Sequence, residues 1–154
     1  MKRGPWTINE TDTLGNAQQL LSQHRIRHLP VISEGKLSGM LSERDLLSAR
    51  AHADADERWW KIPVHFAMQP AETCTPEDEV EPIAHRMGTS RAGALAVTED
   101  DKLIGVVSVI DVLLANSANQ RATGRTAAEA MVAHPPTLKP EQSLLEAVRI
   151  MCDR

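Results

Sequence analysis

Residues 7 to 47 of the chain return at 73 to 113 without a gap, every partner lying 66 positions further on. Thr7 is matched by Thr73, Gly39 by Gly105 and Asp45 by Asp111. A repeat of this length is one supersecondary unit that rarely buries its apolar face alone. The copies must therefore stack, and stacking two like units creates a pseudo-twofold axis with a related pair of clefts. That constraint precedes any reading of individual elements.

Each copy reads as strand, helix, strand, turn, strand, helix. The first strand ends at Thr7-Ile8 or Thr73-Cys74, and a helix start is expected at Asn9-Glu10-Thr11-Asp12 and at Thr75-Pro76-Glu77-Asp78. Both have a capping side chain with an acid three positions later. Val80, Ile83, Ala84 and Met87 carry helical spacing, which Pro82 should disturb. Leu14, Ala17 and Leu21 are the first copy's face. The runs at Leu29-Pro30-Val31-Ile32 and Leu95-Ala96-Val97-Thr98 turn at Glu34-Gly35 and Asp100-Asp101 into hairpin partners. Further helices begin at Ser42 and Ser108. Residues 51 to 61, with Trp59-Trp60, read as a connecting helix whose tryptophans cover the core edge.

A third copy starts at Met131 and stops. Thr137, Lys139-Pro140-Glu141-Gln142 and the apolar Leu144, Ala147, Val148 and Met151 repeat the strand–helix opening, and the chain ends at Arg154. The divisions expected are a first repeat over 1–51, a connecting helix or linker over 52–63, a second repeat over 64–117, and a linker with an incomplete third repeat over 118–154. Aromatic content of 3% within 42% hydrophobic residues makes the core Leu, Val, Ile, Met and Ala.

Composition excludes more than it selects. The net charge of −4 and the lack of a basic tract leave nothing to attract a phosphate backbone, so no nucleic-acid partner is expected. No apolar run approaches the roughly 18 residues of a membrane span. Cys74 and Cys152 lack metal-ligand or disulfide spacing, and a reducing cytoplasm is the expected location. There is no Gly-rich phosphate loop, nucleophile elbow or paired metal-ligand cluster, so the chain is not expected to be an enzyme and no catalytic residue or metal is assigned.

The local signal with chemical content is Gly-x-x-Ser-x-x-Asp, at Gly39, Ser42 and Asp45 and again at Gly105, Ser108 and Asp111. As a ligand site, the Gly admits a close approach, the Ser and helix N-terminal amides suit a phosphate, and the Asp suits vicinal ribose hydroxyls. As local structure, Ser-x-x-Asp is a capping box that needs no ligand. The tetrapeptide alone leaves both readings open.

The wider pattern resembles the CBS domain, the cystathionine-β-synthase-type module that works in pairs as a Bateman module. The resemblance rests on the Val64…Met68 and Ala128…Met131 openings, Thr7, Thr73 and Thr137, Leu29-Pro30-Val31, and Gly39…Ser42-Glu43-Arg44-Asp45. It implies an α/β (α+β) fold of two tandem β-α-β-β-α repeats with pseudo-twofold symmetry, plus the partial third. It further implies clefts that take AMP, ADP, ATP or another adenosyl ligand, with no cofactor required. Carried over by position, Asp45 and Asp111 are the ribose carboxylates and Ser42 and Ser108 the phosphate-side hydroxyls. Thr7 and Thr73 lie where the first strand reaches ligand, and Arg27, His28 and Arg44 are cations toward phosphate.

Gly93, Ala94 and Ile110 stand where Arg27, His28 and Arg44 would recur. Unequal clefts are therefore expected, the Asp45 cleft being the better phosphate binder. Arg25 and Arg91 have a structural reading, as cations near helix ends. The leading functional expectation is a regulatory nucleotide-sensing module, a homodimer acting on an unknown regulated protein, with residues 126–154 packing on a neighbouring surface. The alternative is a dimerisation or partner-docking module with unoccupied clefts.

Overall fold

A computed structural model describes residues 2–53, 58–118 and 135–152. The elements are β1 (Lys2–Arg3), β2 (Ile8–Asn9), α1 (Leu14–His24), β3 (His28–Ser33), β4 (Lys36–Ser42) and α2 (Glu43–His52). Single 3-10 turns follow at Trp59–Lys61 and Val64–Phe66, then β5 (Thr73–Cys74), α3 (Val80–Ser90), β6 (Ala94–Glu99), β7 (Lys102–Ser108) and α4 (Val109–Ala118). The last helix, α5, spans Leu144–Cys152.

The repeat is reproduced strand by strand. A parallel pair, β2 with β3 or β5 with β6, adjoins an antiparallel hairpin, β3–β4 or β6–β7. Both hairpins shift register at one equivalent place, between Val31 and Ile32 and between Val97 and Thr98. Their turns require positive φ at two successive residues, at Glu34-Gly35 and at Asp100-Asp101. That double requirement is the mark of a two-residue hairpin turn matched to strand twist.

The opening strands cross over. β1 does not join the sheet of its own repeat but pairs with β7, Lys2 opposite Val106 and Arg3 opposite Gly105. The reciprocal contact is a bridge between Gln69 and Met40, closed by two amide-to-carbonyl bonds of 2.9 Å. The two sheets, β1-β7-β6-β5 and β2-β3-β4, are thus tied by main-chain hydrogen bonds that each repeat lends the other.

Two apolar clusters fill the interior. Leu14, Leu21, Leu29, Val31, Leu41, Leu46 and Val64 form one; Cys74, Ile83, Met87, Leu95, Val97, Val107 and Val112 form the other. As the composition predicts, no aromatic side chain is among them. Trp59 packs partly buried at the edge of the first cluster under the Arg50 guanidinium, while Trp60 remains about half exposed.

Several expectations are corrected. The helices after the first strands begin later than predicted, because Asn9–Asp12 and 75–78 close local turns. Asn9 N donates to Asp12 Oδ2 and Thr75 N to Asp78 Oδ2, both at 3.0 Å. The capping pattern is therefore satisfied ahead of the helix, and Thr13 is the true cap of α1. Pro82 does not disturb α3: it is the third helical residue, where an amide hydrogen would lack an intrahelical partner in any case.

Of the connecting helix expected over 51–61, residues 54–57 lie outside the described residues; α2 ends at His52 with Ala53 extended, and Trp59–Lys61 form a single 3-10 turn. Ile62 O accepts from Leu14 N, and Pro63 bridges Thr13, which draws this segment along the start of α1. Of the third copy, residues 131–134 lie outside the described residues and 135–139 form no strand. Its helix forms, capped reciprocally by Ser143 and Glu146. It lies on the chain's own α2, where Arg44 Nη2 donates to Met151 O at 2.8 Å.

Candidate functional site

The two Ser-x-x-Asp segments fold alike, each turning the end of a hairpin strand into a helix. Ser42 N and Oγ donate to Asp45 Oδ2 at 2.7 and 2.6 Å, and Asp45 N donates back to Ser42 Oγ at 3.3 Å. Ser108 and Asp111 repeat this at 2.9, 2.6 and 3.4 Å. The capping box is therefore built in both copies. The first amide of each helix is also engaged: Glu43 N donates to Arg27 O and Val109 N to Gly93 O, both at 3.1 Å. Much of the donor capacity that would favour an anion at these helix starts is spent within the fold, leaving side-chain cations to supply the attraction.

The glycine of the motif has a structural occupant. A Cβ on Gly39 would lie 2.7 Å from Met68 Sδ and 2.8 Å from Gln69 O. The close approach that the sequence suggests is made here by the crossing strand of the other repeat.

A cleft lies beside each helix start. The smaller, about 240 Å³, is lined by Pro5, Trp6, Arg25, Ile26, Arg27, His28, Val106, Ser108, Ile110 and Asp111. The larger, about 850 Å³, has Arg27, His28, Ser42, Arg44, Arg91, Gly93 and Ile110 on its walls and is flanked by α5 through Ala147, Val148 and Met151. Asp45 lines neither cleft: its carboxylate is engaged by Ser42, with Gln69 Nε2 3.5 Å from its Oδ1. Thr7 and Thr73 are exposed and line neither cleft; the Thr73 carbonyl accepts from Arg86 at 2.7 Å.

The expected asymmetry of charge is corrected. Arg25, Arg27 and His28 of the first repeat all border the Asp111 cleft, so that cleft does not lose its positive charge. Sequence position alone would give these cations to the repeat that carries them, whereas packing delivers them across the interface. Arg25 and Arg91 take left-handed C-cap conformations at the ends of α1 and α3, which bring them into opposite clefts. Trp6 is a further wall residue that motif reading missed; it stacks on His24 at 3.8 Å between ring centroids. Its signal was that of an aromatic residue beside Thr7 in a chain with few aromatics.

His28 is half-buried, and its imidazole crowds Gly93 so closely that a Cβ there would stand 2.8 Å from Cε1. Burial is the main cause that lowers the His28 pKa below 6.5, Arg27 adds to it, and Asp45 opposes it. The folded state thus favours neutral His28. Above about pH 6.5 the unfolded chain is neutral there too; below it, the unfolded chain takes a proton that the folded chain resists. Stability contributed by His28 is full above that pH and falls as pH falls. Chemical denaturation between about pH 7.5 and 5.5 is expected to show a shallower loss of stability in His28→Gln than in the parent. Equal slopes would refute the assignment.

On the Asp111 side, burial works to raise the carboxyl, hydrogen bonds from Ser108 work to lower it, and the net shift is downward. The group is a carboxylate at neutral pH. Among the described residues, no cluster of three or more His, Cys, Asp or Glu side chains is placed to hold a metal, and no helix is long and apolar enough to cross a membrane.

Comparison with known proteins now bears on these clefts. Residues 1–52 and 64–118 match the family model described as CBS domain. A CBS domain-containing protein of Bacillus subtilis, YhcV, is 26% identical over 117 residues, covering 75% of this chain and 81% of its own length. The crystal structure of the CBS-domain containing protein ATU1752 from Agrobacterium tumefaciens is 27% identical with a TM-score of 0.70, covering 74% of this chain and 90% of that one. The CBS domain pair of protein MJ0100, solved with 5′-methylthioadenosine and S-adenosyl-L-methionine, shares the fold at 23% identity. Its TM-score is 0.69, with 77% of this chain and 93% of that chain covered.

Proposed function

The chain belongs to the CBS-domain family, and we propose that its pair of repeats is a regulatory module taking adenosyl ligands, adenine nucleotides among them, in the two clefts. The observation that carries this reading is the cross-delivery of cations. Each Ser-x-x-Asp helix start faces basic side chains from the other repeat, Arg25 and Arg27 toward Asp111 and Arg91 toward Ser42. At the smaller cleft a carboxylate suited to ribose hydroxyls, Asp111, and guanidinia suited to phosphate, Arg25 and Arg27, border one cavity from opposite repeats.

A ligand bridging them would favour one arrangement of the repeats over others, and that differential affinity is what a regulator needs. The pair of MJ0100, solved with 5′-methylthioadenosine and S-adenosyl-L-methionine, supports the choice of ligand class. Ser42, Ser108, Asp111, Arg27, His28 and Arg44 are the proposed contacts, Arg44 after release of Met151. The proposed setting is the cytoplasm.

Thermal unfolding with AMP, ATP, NAD and S-adenosylmethionine tests the proposal, because a ligand that binds only the folded state must raise the midpoint. At a concentration 100 times Kd, the stabilisation is about 2.7 kcal/mol. No shift with any of the four would overturn it.

A second reading has one observation in its favour. Val109, Ile110 and Leu113 on α4 are exposed, Leu113 by 58%, and make an apolar face suited to a second copy. The chain would then be a homodimeric or partner-docking module with unoccupied clefts. A dimer by sedimentation, together with flat ligand titrations, would favour that reading.

A further inference from the structure

Arg27 and His28 line both clefts. Main-chain contacts hold them there. The Arg27 carbonyl is fixed to the first amide of α2, and His28 pairs with Ser42 across the β3–β4 hairpin. The His28 ring lies over Gly93, whose carbonyl holds the first amide of α4. The dipeptide therefore sits between the two helix starts, anchored at both. The second repeat offers no equivalent, since Gly93 and Ala94 occupy the matching positions. Arg27 is thus common to both clefts, while Arg25 borders only the smaller one and Arg91 only the larger.

We infer that the clefts are negatively coupled toward phosphorylated ligands: a dianionic nucleotide in one cleft draws on the shared Arg27 guanidinium and weakens the other cleft for a second. This rests on the proposal that the clefts take adenosyl ligands, and it adds how their occupancies interact. The cause is twofold. The guanidinium can present its fork of donors fully to one phosphate only, and two dianions converging on one guanidinium repel each other. A ligand without phosphate makes no such demand. By the reciprocity of linkage, the penalty is the same whichever cleft fills first.

Calorimetric titration of the full chain at pH 8 with AMP, and separately with uncharged 5′-methylthioadenosine, is the test. Arg91→Met and Asp111→Asn disable AMP binding at one cleft each, through a side chain that borders that cleft alone, their folding checked by circular dichroism. The expected result is that the weaker AMP step of the parent strengthens about tenfold when the stronger cleft is disabled. The methylthioadenosine step at the cleft left intact should be unchanged by the same variant. Arg27→Met should narrow the gap between the AMP steps, as should raised ionic strength, a measurement that needs no variant.

An AMP step of unchanged affinity after the other cleft is disabled would overturn the coupling while leaving nucleotide binding intact. AMP binding at a single cleft under every condition would overturn it equally. Failure of both AMP and methylthioadenosine to bind would instead remove the reading on which it rests.

Discussion

Gly39→Val is expected to destabilise the folded chain by about 1–3 kcal/mol and to loosen the two repeats from each other. A Cβ on Gly39 meets two atoms at under 3.0 Å, Met68 Sδ and Gln69 O. The methionine end can swing aside, but the Gln69 carbonyl cannot, because it accepts from Met40 N while Gln69 N donates to Met40 O. Relief of the clash must lengthen or break this pair of hydrogen bonds, each worth about 0.5–1.5 kcal/mol net. Urea denaturation would read the loss, and hydrogen exchange at the Met40 and Gln69 amides would rise more than at Leu29 or Leu95, deep in the two sheets. Wild-type stability in Gly39→Val would show that the crossing strand is not held against Gly39.

The same glycine shows where sequence reading succeeds and where it stops. The 66-residue repeat established the elements, their order and the inner faces, because period and apolar spacing are local properties. Leu14, Ala17 and Leu21 are buried as their spacing requires. The need for Gly39 was also legible, but its neighbour was not, since nothing local says that 68 and 69 cross into the other sheet. Cation placement failed for the same reason. Arg27 and His28 border the clefts, yet their reach to Ser108 and Asp111 depends on how the repeats pack. The helix starts erred differently: Asn9–Asp12 and 75–78 have capping chemistry, and a turn satisfied it before the helix began.

Asp111→Ala is expected to have two separable effects, and separating them decides between cap and ligand site. The carboxylate accepts from Ser108 N and Ser108 Oγ, so its removal costs the cap of α4, about 1 kcal/mol and at most about 2. For a chain of this size each kcal/mol lowers the midpoint by about 2–4 °C. If the carboxylate also holds vicinal hydroxyls, two charge-assisted hydrogen bonds are lost, and affinity at this cleft should fall at least about tenfold. Ser108→Ala is the control, because it removes the reciprocal hydroxyl and destabilises α4 while leaving the carboxylate in place. The expected pattern is comparable midpoints for the two variants without ligand, and a ligand-induced rise largely retained in Ser108→Ala but lost at this cleft in Asp111→Ala. Methylthioadenosine is the better ligand for this comparison, since it engages the carboxylate without the shared guanidinium. Equal loss of the rise in both variants would mean that Asp111 acts only through the helix it caps.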